Sequence, residues 1–250
     1  MSRVWRKECC KLMIKMEHVV LASPKQMEFV IEGMRNPMNS WSKSDSHDCK
    51  QNSSFCMECE CNKIGYRLGE NDISLMQRLS KAGTDHRKYM RMMPVYVRIT
   101  APLYWWKEFD TYKVATVSNS CSTMHKIDAR KFVLDDFSYE HLINNEEIEY
   151  PNSSGEDDEW GSLDILDLIM DALNHYRDLY LKTKDKKYWW QMIQLLPSSY
   201  NQTRNVMLNY EVLANIYKSR KTHKLDEWVE FCKWIESLPY SELITGEIDE

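Results

Sequence analysis

The sequence predicts an α+β protein that is rich in helix and has a small, mainly antiparallel sheet. Most amphipathic segments repeat their apolar residues at helical spacing, whereas 94–106 is rich in Val, Tyr, Ile and Trp and alternates loosely, as a strand does. Glycine accounts for only 7 of 250 residues and never occurs as Gly-x-Gly. The Rossmann fingerprint and the phosphate-binding loop of many parallel α/β proteins are therefore excluded.

The individual elements follow from local signals along the chain. A short apolar stretch at 19–21 predicts a strand, and Pro24 opens a helix over 25–34 that Asn36-Pro37 ends. The later predicted elements are a helix at 72–81 ended by Gly83, the strand 94–106, a helix at 162–181 capped by Ser162, a helix ending at 191–196 before Pro197, and helices at 203–220 and 225–235.

The length favours a single domain, because 250 residues bury a substantial core without disulfides or metal. Two segments depart from the pattern of that core. Residues 39–65 are rich in Ser, Asn, Asp, Lys and Cys and are interpreted as a surface insertion, and 144–160 as an acidic loop.

Charge and hydropathy exclude several classes of protein. A formal net charge of -5 and a pI near 5.9 are unlike the basic character of duplex nucleic-acid binders. A single-strand groove at Trp189-Trp190 is disfavoured by the same acidity. No apolar run reaches the roughly 18–20 residues of a membrane span. Charged residues interrupt any signal-peptide core near the N-terminus, so a cytoplasmic location with reduced thiols is expected.

A cysteine-rich stretch lies inside the predicted insertion. Cys56 and Cys59 have the CxxC spacing that lets two thiolates bind one Zn²⁺, and Cys49, Cys61 and His47 are near in sequence. The spacing matches no standard zinc finger, and a second CxxC is absent. A structural zinc site and a set of reduced surface thiols both remain open.

Small polar residues follow the aromatic segment 104–112. Ser118, Asn119, Ser122 and Thr123 offer many hydrogen-bonding groups, which either line the pocket of a polar ligand or form an exposed turn. On the helix predicted at 203–220, Asn209 and Arg220 fall on one face. Arg220 there is either a ligand contact or a charge that favours the helix dipole.

The order of these motifs resembles the flavin-dependent thymidylate synthases, also called thymidylate synthase complementing proteins. Ala101-Pro102 is followed by Thr111-Tyr112-Lys113 and then by Cys121-Ser122-Thr123, where that family has Arg-His-Arg and Ser-x-Arg. Gly83 to His86 is similar to the family's Gly-His-x-x-Pro turn. Leu196-Pro197, Asn209-x-Glu211 and Arg220 are similar to its Leu-Pro, Asn-x-Arg and helix-end Arg.

The resemblance implies an α+β homotetramer that binds FAD and dUMP at subunit interfaces and converts dUMP to dTMP. With the polar cluster, it implies a flavin site, for FAD or FMN, at His86, Ser118, Asn119, Asn209, Asn215 and His223. It implies pyrimidine-nucleotide contacts at Glu108, Ser122, Thr123 and Arg220, with Cys121 and Lys113 as candidate catalytic residues.

The departures from the family signature limit this expectation. Thr111, Lys113 and Thr123 stand where the family has arginines, and Cys121 stands at the position of its Ser. Glu211 replaces a further Arg and is expected to repel a ligand phosphate. Two hypotheses remain open: a diverged enzyme of pyrimidine-nucleotide methylation, and a catalytically inactive nucleotide-binding or regulatory relative.

Overall fold

The described part of the chain forms two compact units. The computed structural model describes residues 13–49, 65–143 and 161–246. The helical unit consists mainly of Thr100–Glu108 and Ser120–Thr203, and the sheet unit of Met16–Ile99, Phe109–Asn119 and Arg204–Glu250. The prediction of one domain over 1–250 stays a prediction beside this division.

Helices are the main elements of both units. The helices are α1 Pro24–Arg35, α2 Glu70–Lys81, α3 Lys88–Arg91, α4 Leu103–Phe109, α5 Thr123–Lys126, α6 Ser162–Thr183, α7 Lys186–Leu195, α8 Tyr210–Arg220, α9 Asp226–Glu236 and α10 Glu242–Thr245. The strands are β1 Lys15–Leu21, β2 His47–Asp48, β3 Tyr66–Arg67, β4 Pro94–Pro102, β5 Val117–Ser120 and β6 Asn201–Asn209. The predicted α+β class is confirmed.

The larger sheet has four strands in the order β1-β4-β6-β5. Along β4, Val95, Val97 and Ile99 are buried while Tyr96 and Arg98 are exposed. This alternation places one face of the strand on the core and the other in water, as period-two patterning requires. A second sheet pairs β2 with β3 in antiparallel orientation.

Helix α1 begins where the sequence predicts it, because its first turn is capped on both sides. The backbone N–H of Gln26 donates to Ser23 Oγ at 3.3 Å, and the backbone N–H of Ser23 donates to Gln26 Oε1 at 2.8 Å. Pro24 occupies the first helical position, where its missing N–H costs nothing. This capping box confirms the predicted helix boundary.

The strand predicted at 94–106 is too long. β4 ends at Pro102, and Leu103–Phe109 continue as helix α4. Trp105, Trp106 and Phe109 are buried, and their spacing of one and three residues suits a helix face. Proline also lacks the N–H that would prolong the ladder. The aromatic residues after Pro102 therefore form the buried face of a helix and do not continue the strand.

The helix predicted from residue 203 begins seven residues later. Asn201–Asn209 form β6, and Asn209 is the N-cap of α8, accepting a 3.0 Å hydrogen bond from the Val212 N–H. Asn209 therefore precedes the helix and does not share a face with Arg220. A smaller correction concerns α6, in which Ser162 is the first helical residue and Gly161 is the N-cap.

The described start of the 39–65 segment is tied to α2 through a buried carboxylate. Asp72 is 0% exposed and forms a 2.6 Å ion pair with Arg35 of α1. Its Oδ2 accepts hydrogen bonds from the hydroxyls of Ser44 and Ser46 at 2.8 and 2.7 Å. Residues 50–64 of the predicted insertion and the whole acidic loop 144–160 lie outside the described residues.

The helical unit has its own apolar core between α6, α7 and the segment that follows α5. The buried members are Ile127, Phe132, Phe137, Leu166, Met170, Leu173 and Met192. Over the ranges that the structure describes, none of the helices has the length and apolar character needed to cross a membrane.

Candidate functional site

The helical unit contains a cavity of about 560 Å³ beside Cys121, named here the Cys121 pocket. Its walls come from the turn after β5, from the loop after α5 and from the start of β6. The lining residues are Cys121, Ser122, Thr123, Lys126, Ile127, Ala129, Arg130, Lys131, Phe132, Asp136, Tyr200, Asn201, Gln202 and Thr203. The pocket thus brings together three of the predicted site residues, Cys121, Ser122 and Thr123.

Hydrogen bonds to β6 hold the turn that carries Cys121. The Cys121 backbone N–H donates to the Thr203 carbonyl at 2.9 Å. The Gln202 side-chain Nε2 donates to Thr123 Oγ1 at 3.0 Å and to the Cys121 carbonyl at 3.3 Å. Ser122 caps α5 by accepting from the His125 N–H at 3.2 Å. Gln202 is therefore a positioning residue for this wall.

Aromatic and aliphatic side chains form the apolar part of the pocket. The ring of Phe132 lies 6.2 Å from that of Tyr200, centroid to centroid, and Ile127 is buried beside them. Burial raises the pKa of the Tyr200 hydroxyl above its ordinary value, and the charge of Asp136 raises it further. At neutral pH, Tyr200 is therefore a neutral phenol that still donates a hydrogen bond.

The polar rim of the pocket is mainly cationic. Lys126, Arg130 and Lys131 line it, against the single carboxylate of Asp136. Arg130 and Asp136 form a two-point ion pair, in which Nη1 donates to Oδ2 at 2.8 Å and Nη2 donates to Oδ1. This pair uses one of the three positive charges. The rim keeps an excess of positive charge, which suits an anionic ligand.

A second group of predicted residues meets in the sheet unit around Arg220. The Arg220 guanidinium carbon lies 4.7 Å from the centroid of the Trp228 ring, and Nε donates to the Tyr112 hydroxyl at 2.9 Å. Its Nη1 lies 2.9 Å from His223 Nε2. Cation–π stacking and these polar contacts restrict the guanidinium to one position. Arg220 and His223 were both predicted, and the structure places them in contact.

Glu211 is paired with arginines of the preceding elements. Arg91 donates to both carboxylate oxygens, to Oε1 at 3.1 Å and to Oε2 through Nε. Arg87 Nε lies 3.7 Å from Oε1. Two guanidinium groups therefore neutralise the Glu211 carboxylate, and the expected repulsion of a phosphate by an unpaired Glu211 does not apply.

The other predicted residues are spread over both units. Lys113, Ser118, Asn119, Asn215 and His86 are exposed in the sheet unit, and Asn119 borders a separate cavity of about 340 Å³ there. Asn209 is 5% exposed, with its Oδ1 engaged in capping α8. Glu108 is half-buried in α4 of the helical unit. The flavin contacts predicted at His86, Ser118, Asn119, Asn209 and Asn215 stay predictions. The catalytic role of Lys113 and the nucleotide contact of Glu108 also stay predictions.

The zinc prediction falls largely outside the described residues. Cys49 and His47 are half-buried, whereas Cys56, Cys59 and Cys61 are among the residues that the structure does not describe. Of the side chains that are described, no three of His, Cys, Asp or Glu come together as a metal site. Zinc and reduced thiols both remain open for this cysteine cluster.

Sequence reasoning missed the residues that give each site its character. Lys126, Arg130 and Lys131 lie just past the Cys121 motif, and this short basic run was a visible signal. No local signal connects Tyr112 to Arg220, because more than a hundred residues separate them in the chain.

Comparison with solved structures gives extensive likenesses. The flavin-dependent thymidylate synthase ThyX from Helicobacter pylori, solved in complex with FAD and dUMP, covers 95% of this chain and 100% of its own, with a TM-score of 0.59 and 15% identity. The UMP/dUMP methylase PolB from Streptomyces cacaoi, solved with 5-Br dUMP, covers 93% of this chain and 95% of its own, with a TM-score of 0.54 and 13% identity.

These likenesses establish the fold. Neither a protein-family model nor a curated protein sequence matches the chain. The chain has the fold of the flavin-dependent thymidylate synthases, over nearly its full length. The resemblance inferred from the motifs is confirmed at the level of the fold.

Proposed function

We propose that this protein binds a flavin and a pyrimidine nucleotide and catalyses a diverged form of the thymidylate synthase reaction, the methylation of dUMP to dTMP or a related pyrimidine methylation. The observation that carries the proposal is the match to the whole of a ThyX chain solved with FAD and dUMP. A second relative in fold, PolB, is described as a UMP/dUMP methylase. Both of these proteins are therefore associated with a uracil nucleotide.

The Cys121 pocket suits the nucleotide in size and chemistry. Its volume of about 560 Å³ lies within the roughly 300–1,000 Å³ typical of small-molecule sites. The hydroxyls of Ser122 and Thr123 can bond to a sugar or base, and the cationic rim matches a phosphate. We assign the nucleotide to this pocket, with Ser122 and Thr123 as contacts.

The flavin is proposed to be FAD, with FMN as the alternative, and it would supply the redox chemistry when bound. The sheet unit offers exposed polar groups at Asn215 and His86 and the fixed cation of Arg220. Because Asn209 Oδ1 caps α8, this oxygen is engaged by the protein itself. We therefore assign the flavin contacts chiefly to Asn215, His223 and His86, with Ser118 and Asn119 on β5 as further candidates.

Binding measurements test this function directly. We expect purified protein to quench the fluorescence of added FAD or FMN, and calorimetry to show binding of dUMP or UMP. A methylation assay with a folate methylene donor and a reductant then separates an enzyme from an inactive binding relative. Absence of both flavin and pyrimidine-nucleotide binding would contradict the proposal.

Two further parts of the proposal concern the protein's context. By resemblance, we propose a homotetramer and a role in nucleotide biosynthesis in the cytoplasm. Light scattering coupled to size exclusion tests the first, with a tetramer expected and a stable monomer contradicting it. Fractionation of cells that produce the native chain tests the second.

Cys121 is expected to react much faster with alkylating reagents than Cys232. Cys121 is exposed at the pocket, whereas Cys232 is 2% exposed and burial raises the pKa of its thiol to about 11. Only the thiolate is a good nucleophile, so the buried thiol should react only on unfolding. Peptide mass spectrometry after timed iodoacetamide treatment measures both sites.

The role of Cys121 is tested in the same experiment. If Cys121 lies at the nucleotide, saturating dUMP should slow its alkylation, and a Cys121→Ser variant should keep dUMP binding while methylation falls. Equal rates at Cys121 and Cys232, with no protection by dUMP, would remove Cys121 from the candidate catalytic residues.

A further inference from the structure

We propose that Lys126, Arg130 and Lys131 hold the phosphate of a pyrimidine nucleoside monophosphate at the rim of the Cys121 pocket. The inference rests on the proposed function, which supplies the ligand class, and it adds the residues that recognise the phosphate. Thr111 and Thr123 stand at two positions where the family signature has arginines, and they carry no charge. The three basic residues of the pocket would therefore bind the phosphate in place of those arginines.

Arg130 is a guanidinium that the protein holds in place from one side. Asp136 is 8% exposed, accepts from both terminal nitrogens of Arg130, and also accepts from the Val133 N–H at 3.0 Å. The Arg130 side chain itself is 64% exposed. A buried carboxylate thus orients a cation that ligands can still reach, and oriented guanidinium groups favour oxyanions such as phosphate.

The two lysines supply charge that the pocket itself does not balance. No ion pair joins Lys126, at the end of α5, to another residue of the described ranges. Lys131 Nζ lies 4.0 Å from Asp178 Oδ2, and these side chains are 68% and 55% exposed, so water screens the pair strongly. Because Asp136 balances the Arg130 charge, the two lysines carry the excess positive charge of the rim, which a bound phosphate dianion would offset.

The lining of the pocket favours a nucleotide over free phosphate. The rings of Phe132 and Tyr200 line the same pocket as the basic residues and form an apolar wall that can pack against a base. The hydroxyls of Ser122 and Thr123 also line the pocket. A ligand with one anionic end and one flat heterocyclic end uses both parts.

Calorimetry on the full-length protein tests the assignment with dUMP, deoxyuridine, inorganic phosphate and FAD as separate ligands. The main variant is Lys126→Ala/Lys131→Ala, which leaves the Arg130–Asp136 ion pair intact. Arg130→Lys keeps the charge but loses the two-point geometry. Lys182→Ala, an exposed lysine of α6 outside the pocket, is the matched control. Circular dichroism confirms that each variant is folded.

We expect the double lysine variant to bind dUMP at least about tenfold more weakly, with deoxyuridine affinity unchanged and a reduced dependence on salt. Arg130→Lys should weaken dUMP binding by a smaller factor, and Lys182→Ala should bind as wild type.

Undiminished dUMP binding by the double variant would overturn the inference and leave the proposed function standing. Equal loss for dUMP and deoxyuridine would also overturn it, and stronger loss for FAD than for dUMP would assign the trio to the flavin. Failure of wild type to bind dUMP or any flavin would overturn the proposed function as well.

Discussion

Asp72→Ala is expected to lower the free energy of unfolding by about 3–5 kcal/mol, the usual cost of removing one partner of a buried ion pair. The Arg35 side chain is only 4% exposed and would be left without its 2.6 Å partner. The hydroxyls of Ser44 and Ser46 would also lose their acceptor. Chemical denaturation followed by circular dichroism measures the loss.

An exposed ion pair on α1 provides the control. Glu28 is 61% exposed and pairs with Lys25 at 3.1 Å, so Glu28→Ala should cost less than about 1 kcal/mol. A similar small loss for Asp72→Ala would show that Arg35 finds another partner or water. It would contradict the assignment of Asp72 as the anchor of residues 44–46.

The pH dependence of stability provides a second test of the role of the Asp72 carboxylate. Burial opposes ionisation of Asp72, but hydrogen bonds from Ser46, Ser44 and Arg35 outweigh it and hold the pKa below its ordinary value of 3.8. A lowered folded-state pKa means that the stabilisation is present above 3.8 and is lost as pH falls through the folded-state value. The difference between wild type and Asp72→Asn should therefore shrink in strong acid.

Trp228→Ala is expected to cost about 3–5 kcal/mol of unfolding free energy, as large-to-small substitutions of buried aromatic residues do. Trp228 is 0% exposed, and its ring centroid lies 6.5 Å from that of Phe109 and 6.0 Å from that of Phe231. The substitution also removes the ring on which Arg220 stacks. Thermal and chemical denaturation measure the first effect.

The second effect concerns ligand binding and has its own control. If Arg220 contacts a ligand, a milder Trp228→Phe variant should keep most of the stability and weaken flavin or nucleotide binding less than Arg220→Ala does. Trp190→Ala, at a position 43% exposed on α7, should change stability by about 1 kcal/mol or less. A Trp228→Ala protein as stable as wild type would refute the role of this ring in the sheet-unit core.

Local signals in the sequence were sufficient to predict an element where capping residues mark its boundary. Ser23, Pro24 and Gln26 define the start of α1, and the apolar spacing over 72–81 predicts the helix α2. The prediction failed for the helix expected from residue 203, where the first residues belong to a strand. The helical interpretation includes Asn209, although its amide is a strong N-cap signal and residues 201–209 form β6.

The candidate sites depended on contacts between distant parts of the chain. The motifs were enough to point to the fold and to Cys121, Ser122 and Thr123 in one turn. They did not show that Glu211 is neutralised by Arg91, which lies 120 residues away in sequence. The charge of Glu211 considered alone predicted repulsion of a phosphate, whereas in the fold this carboxylate is paired with Arg91.

By itself, the sequence determined the α+β class, the order of the motifs and the loss of the signature arginines. Only the tertiary structure decided which charged side chains remain available to bind a ligand. Ion pairing depends on distances in the fold, and spacing along the sequence does not give these distances. Arg130 is oriented by Asp136 and Arg220 by Trp228, while Glu211 is neutralised. Electrostatic interaction falls with distance and with exposure to water, so the role of each ionic group follows from its folded neighbours.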